Sequence, residues 1–277
     1  MATADLHTHS FYSDGTESPR RLLELAKAAG LSALAVTDHD TMDGYAEAVA
    51  AASELGVELI PGIEMSASYE KCEVHVLGLL LNPSNEALRR FLAEQKERRV
   101  QRVHEMVRRL QQMGVSITAE DIFAIGGNKG TVGRLHVAQA LVKRGYISKP
   151  EEAFDRYIGP KNPAFVPGSP MPPETVIQMI RQADGLPVLA HPVYLKSDDW
   201  IDLFARQGLV GVEVYHSSHT PEVIQRYERI ADRLGLLKTG GTDFHGSAKE
   251  GVPIGAVAVP YALVDSLKAW KRAHLTS

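Results

Sequence analysis

Side chains able to bind metal recur wherever a strand-like run of this sequence gives out, and that recurrence narrows the folds open to it. The opening run reaches His7 and His9, in Asp5-Leu6-His7-Thr8-His9-Ser10, with Asp14 in the turn beyond. Thr37-Asp38-His39-Asp40 closes a second run and Pro61-Gly62-Ile63-Glu64 a third. His75 lies on the fourth, Ala190-His191-Pro192 ends the fifth, and Thr242-Asp243-Phe244-His245 ends the seventh. Strand side chains alternate, so an extended segment over residues 3 to 9 puts His7 and His9 on one face, roughly 7 Å apart. For such distant positions to act together, the strand ends that carry them must form one rim, as they do in a closed βα barrel.

The intervening sequence supports that closure. Ser18-Pro19 reads as the start of a helix that runs to about Ala29 and stops at Gly30. Strands are expected at 33–37, 57–63, 72–81, 187–190, 209–215, 236–240 and, briefly, 256–259. Helices fall between them at 43–55, 173–184, 198–207 and 221–234, and a last helix ends the chain. This alternation predicts a parallel sheet, and seven or eight units predict a TIM-like α/β barrel. Between 84 and 167 only helices are expected, at 85–113, 119–125, 131–144 and 150–158. Residues 99–166 therefore read as a small helical insertion, with 1–98 and 167–277 as the barrel and the proline-rich Gly159–Pro173 as the return.

With 277 residues, 44% of them hydrophobic, the chain can bury a large core. Its net charge of -4 and pI near 6.3 argue against a general membrane-surface binder or a stable DNA complex. The charge is unevenly spread. Residues 99–166 hold 11 Lys/Arg against 6 Asp/Glu, leaving 19 against 28 elsewhere, which suits a lid over an anionic substrate. The single cysteine, Cys72, excludes an internal disulfide and a thiolate-built zinc site. The first strand starts too near Met1 for a signal peptide, and no 18-residue apolar window occurs, so a cytoplasmic protein is expected.

Taken together, the His-x-His pair, the Thr-Asp-His-Asp box, Pro-Gly-x-Glu, His75, Ala-His-Pro and Thr-Asp-x-His resemble the polymerase and histidinol phosphatase (PHP) superfamily. The resemblance implies a distorted (β/α)7 barrel with two or three divalent ions. One ion would be held by His7, His9, Glu64 and Asp243, a second by Glu64, His75 and His191, and a third by Asp14, His39 and His245. Imidazole and carboxylate without thiolate suit Mn, Fe or Zn alike, and manganese is the ion expected first. Three such ions against the charges of Asp14, Glu64 and Asp243 leave a cup that favours a phosphate dianion. A water shared by two ions has its pKa lowered toward about 7 and can attack phosphorus as hydroxide.

Gly133-Arg134-Leu135-His136 resembles the Gly-Arg-Pro-His box of nucleotide-acting members, with Leu135 in place of proline. The Arg134 guanidinium can fork two phosphate oxygens. Lys129 is a weaker candidate, and His136 is expected to be structural. Asp243, His216 and Arg134 are the candidates for catalytic work, with His216 a phosphate contact or the proton donor to the leaving oxygen. Ser10 is a candidate phosphate donor, and Asp38 and Asp40 are expected to orient ligand histidines. The expected activity is removal of the 3'-phosphate from a nucleoside 3',5'-bisphosphate. Short RNA cut from its 5' end is the near alternative. A histidinol-phosphate phosphatase would leave the basic insertion unexplained, and an amidohydrolase would want a lysine where His75 stands.

Overall fold

Runs as apolar as Ala33–Val36 and Leu186–Leu189 cannot tolerate water on either face, and the chain buries them between outer helices and a filled interior. The computed structural model describes residues 2–125, 131–168, 171–249 and 251–275. Its strands are β1 (Thr3–Asp5), β2 (Ala33–Val36), β3 (Glu58–Tyr69), β4 (Cys72–Leu79), β5 (Leu186–Leu189), β6 (Gly211–His216), β7 (Leu237–Gly241) and β8 (Val259–Pro260). They form one sheet in the order β7-β6-β5-β4-β3-β2-β1-β8. The segment after β1 closes the ring against β7: Leu6 N donates to Gly240 O at 3.1 Å, Asp243 N to His7 O at 2.8 Å and His9 N to Phe244 O at 2.8 Å. The barrel is thus shut at the seam where four of the nine expected ligands lie.

Two expectations are corrected here. The regular strand expected over residues 3–9 stops at Asp5, because the buried Asp5 carboxylate accepts the backbone N–H of His7 and of Thr242 and draws both chains out of the ladder. The sheet is also not wholly parallel, since β4 runs antiparallel to both β3 and β5. A two-residue turn joins β3 to β4, with Glu70 and Lys71 both left-handed at φ +47° and +63°. Such turns usually announce themselves as Asn-Gly or Asp-Gly, and Glu-Lys gives no such signal. Reversal brings the start of β4 to the rim, so Glu73 and His75, two apart, stand beside the other strand ends.

Helices α1 (Pro19–Ala28), α2 (Tyr45–Leu55), α7 (Pro173–Gln182), α8 (Asp199–Arg206), α9 (Pro221–Leu234) and α10 (Tyr261–Leu275) clothe the barrel. As the sequence suggests, Ser18 caps α1 by accepting from Arg21 N. The inserted region comprises α3 (Glu86–Gln112), α4 (Ala119–Ile125), α5 (Arg134–Lys143) and α6 (Glu151–Ala153), which continues into a π-helical turn, Phe154–Ile158. Position 98 falls inside α3. Leu88 and Leu92 of this helix pack into the barrel core, whereas Val103, Met106 and Leu110 pack with Ile122, Val137 and Leu141 in a separate core. Among the described residues no helix is long and apolar enough to cross a membrane.

Closure of the seam requires a residue without a side chain at position 241. A Cβ on Gly241 would stand 2.5 Å from both the backbone nitrogen and the Cβ of His7, and 2.8 Å from Asp5 Oδ1. The two His7 atoms are fixed by the backbone, and Asp5 Oδ1 is tied by its bonds to His7 N and Thr242 N. Gly241→Ala is therefore expected to cost about 1–3 kcal/mol of stability and to loosen the His7 segment. A lower melting temperature together with poorer metal retention would confirm it, and an unchanged melt would count against this account of closure.

Candidate metal centre

All nine side chains expected as ligands meet in one buried cup. Nε2 of His7 lies 3.1 Å from Nε2 of His9, 3.1 Å from Glu64 Oε2 and 3.4 Å from Asp243 Oδ1. Glu64 turns its other oxygen, Oε1, toward His75 Nδ1 at 2.9 Å and His191 Nε2 at 3.0 Å, and those two rings approach within 3.3 Å of each other. One carboxylate therefore spans two groups. A third group sits around Asp14, whose oxygens face His245 Nε2 at 3.2 Å and His39 Nε2 at 3.8 Å. His9 joins this group as well, through Nδ1 at 3.8 Å from Asp14, an addition to the three residues expected there.

The donor set fits divalent cations on the geometry of its lone pairs. His7 holds its Nδ1 against Glu213 Oε1 at 2.9 Å, which places the ring proton there and leaves the Nε2 lone pair facing the cup. Around that lone pair stand His9 Nε2 and two carboxylate oxygens, all acceptors when the site is neutral or anionic. A divalent cation between them reconciles such an arrangement; without one, protons must do so, and against the effect of burial the carboxylates raise His7 well above the usual imidazole range and His9 to about 9. Asp14 Oδ1 and His39 Nδ1 are likewise buried with no hydrogen-bond partner. Burial alone would push the carboxyls of Glu64, Asp14 and Asp243 upward. The surrounding imidazoles outweigh it and hold all three well below the usual carboxylate range, so they stay ionised.

Behind the ligands lies a layer of buried carboxylates. Glu213 was not singled out from the sequence, yet besides gripping His7 it accepts the backbone N–H of His191 at 2.8 Å. His191 needs that support, having a positive φ of 27°. The available signal was a lone acidic residue in the apolar run Val210-Gly211-Val212-Glu213-Val214. Asp5 accepts from Thr242 Oγ1 at 2.6 Å, and burial still pushes it up to about 6.

Several expected roles change. Asp38 and Asp40 touch no ligand histidine through a hydrogen bond: Asp38 accepts from Ser10 and Ser13, and Asp40 accepts from Arg99 and from Ser66 N. Ser10 is fully buried and gives its hydroxyl proton to Asp38 Oδ2 at 2.6 Å, leaving none for a substrate phosphate. His216 accepts from Ser218 N through Nδ1, so its proton sits on Nε2, 3.5 Å from Asp243 Oδ2. That ring is buried against the ligand, where it steadies Asp243. Lys249 holds the same carboxylate at 2.8 Å. His136 is structural as expected, its ring accepting from Gly133 N. Lys129 lies outside the described residues.

A cavity of about 210 Å³ opens on this cup, lined by Asp14, His39 and His75 together with Glu73, Arg99, Arg102 and Arg134. Ligand-bearing strand ends and guanidinium groups of the inserted helices thus border one space. Metal ligands beside arginines suit an anionic substrate, and the centre is that of a metal-dependent phosphoesterase.

Comparison with known proteins agrees. Residues 5–131 match the PHP domain, and the chain belongs to the PHP family. A 3',5'-nucleoside bisphosphate phosphatase of Chromobacterium violaceum is 33% identical over 260 residues, covering 92% of this chain and 91% of that protein. A 5'-3' exoribonuclease of Haemophilus influenzae is 35% identical over 246 residues, covering 87% and 89%. The crystal structure of a protein from Bifidobacterium adolescentis described as a metal-dependent phosphoesterase superposes with a TM-score of 0.89 at 36% identity, over 96% of this chain and 95% of that one.

The buried layer yields a test of its own. Glu213→Gln keeps the volume but cannot balance the His7 proton as a carboxylate does. Metal affinity is expected to fall about 10–100-fold, measured by equilibrium titration with manganese. Full affinity in a folded variant would remove Glu213 from the support of the site.

Proposed function

We propose that this protein is a phosphatase that removes the 3'-phosphate of nucleoside 3',5'-bisphosphates, such as adenosine 3',5'-bisphosphate, to give the 5'-monophosphate. The observation that carries this reading is the cavity lined both by metal ligands and by arginines. A substrate with two phosphates can engage both. The likeness to the Chromobacterium violaceum phosphatase supports the same choice. We take two or three divalent ions, manganese first, as the cofactor, and the cytoplasmic nucleotide pool as the source of substrate.

Bound ions would supply Lewis acidity to the phosphoryl oxygens and an activated water. The chain's own contribution is to fix geometry and charge. Glu64, Asp243 and Asp14 remain ionised, Glu213 sets the His7 tautomer, and Asp243 is held from behind by His216 and Lys249. Arg134, at the first turn of α5, lines the same cavity, where its fork can receive the second phosphate.

A second reading, cleavage of short RNA from its 5' end, has an observation in its favour. Another cavity, of about 280 Å³, shares Arg99 and Arg102 with the first and leaves room for a further nucleotide. Purified protein with manganese, offered adenosine 3',5'-bisphosphate and a 5'-phosphorylated RNA trimer, separates the two. Phosphate release from the bisphosphate is expected; cleavage of the trimer alone would reverse the order. His7→Ala should lower kcat by about a thousandfold or more. Arg134→Ala should reduce kcat/KM for the bisphosphate about tenfold relative to an aryl phosphate, and an equal loss on both would remove Arg134 from recognition of the second phosphate.

A further inference from the structure

The three arginines that line the cavity are not equally free. Arg99 gives Nε to Asp40 at 2.6 Å and Nη2 to Ser66 Oγ at 2.7 Å, so both groups are committed to the barrel. Arg134 is ion-paired with Glu73 and lies over the Phe154 ring at 5.6 Å. Arg102 anchors Nε on Val166 O at 3.0 Å, while its Nη2 is buried with no partner and its Nη1 stands 3.8 Å from Glu73 Oε1. Two guanidinium groups therefore converge on one carboxylate, which itself lines the cavity. An acidic side chain is an odd tenant for a wall that faces a polyanion.

We propose that Glu73 is a specificity-determining residue of this cavity: its carboxylate, paired with Arg134 and Arg102, occupies the seat of the substrate's second phosphate, and that phosphate replaces it on both. This rests on the bisphosphate reading given above. A phosphate dianion offers three oxygens to two forks, where a carboxylate offers two and half the charge, so the exchange favours the phosphate. The displaced carboxylate would not be left without a partner. Its Oε1 already stands 3.8 Å from His75 Nε2, and the Nδ1 of that ring faces Glu64 in the cup. A carboxylate on the outer nitrogen of a metal-facing imidazole orients the ring. From outside, the seat is closed by backbone: a Cβ at Gly168 would lie 3.0 Å from Glu73 Oε1 and 3.4 Å from Arg102 Nη1. Neutral groups, unable to displace a paired carboxylate, are refused at this end.

The experiment uses adenosine 5'-monophosphate, which carries the second phosphate alone, with inorganic phosphate as the comparison ligand. Its affinity for the manganese-loaded protein is measured by calorimetry and as inhibition of aryl-phosphate turnover. Glu73→Gln removes the competing charge, and the monophosphate is expected to bind about tenfold more tightly relative to inorganic phosphate; Arg102→Gln should weaken it by about the same factor. Glu73→Asp, with its shorter reach to Arg134, should fall between wild type and Glu73→Gln, and it keeps a counter-ion in place if the glutamine variant does not fold. Monophosphate affinity unchanged or weakened in a Glu73 variant with a normal thermal melt overturns the proposal. Calorimetry needs no turnover, so the two readings fail separately. Tighter monophosphate binding without bisphosphate hydrolysis would keep Glu73 in this role and end the bisphosphate reading, whereas hydrolysis with unaltered monophosphate binding would end the role of Glu73 alone.

Discussion

Acceptor atoms crowded together away from water are the constraint on which this structure turns. Glu64, at the middle of the cup, is fully buried, and the ligand atoms nearest it are imidazole nitrogens and another carboxylate. Each such group costs free energy to desolvate unless a partner compensates. The chain supplies part of that compensation from behind, through Glu213, Asp5, Lys249 and the Ser10–Asp38–Ser13 cluster. Cations complete it from the front. The backbone bears a share of the cost too, with His191 and Asp243 both at positive φ.

The two cores divide the work. Barrel residues gather the ligands, and the seam between the His7 segment and β7 brings residues from both ends of the chain within hydrogen-bond distance. The inserted helices, packed around their own apolar cluster, bring guanidinium groups to the same cavity. Neither part makes the cavity alone. Charge is arranged accordingly, with acidic groups spent on metal and on ligand support while basic groups face the space left for substrate.

Ligand positions were legible in the sequence because a barrel sends every strand end to one rim, so strand placement alone gathers them. Errors in strand length did little harm. β1 is shorter than expected, yet His7 and His9 still enter the cup, held by bridges to Phe244 and Asp243. The reversal of β4 escaped notice since its turn residues are Glu70 and Lys71, which seldom adopt left-handed backbone. Glu213 escaped for another reason: an acidic residue between valines in a strand reads equally as an outward face or as a buried support. Long-range pairings left no trace at all. Nothing local to Ser10 names Asp38 as its acceptor, and nothing near Arg134 names Glu73, 61 residues earlier, as its counter-ion.

Helix α3 runs unbroken for 27 residues, a rod about 40 Å long. Its first half is fixed in the barrel core and its second half in the core of the inserted helices, and Arg99 and Arg102 sit near the junction. A hinge there would have to break helical hydrogen bonds, so the arginines keep a set distance from the ligands across the cavity. The molecule is thereby built like a calliper, its jaws set by one stiff element.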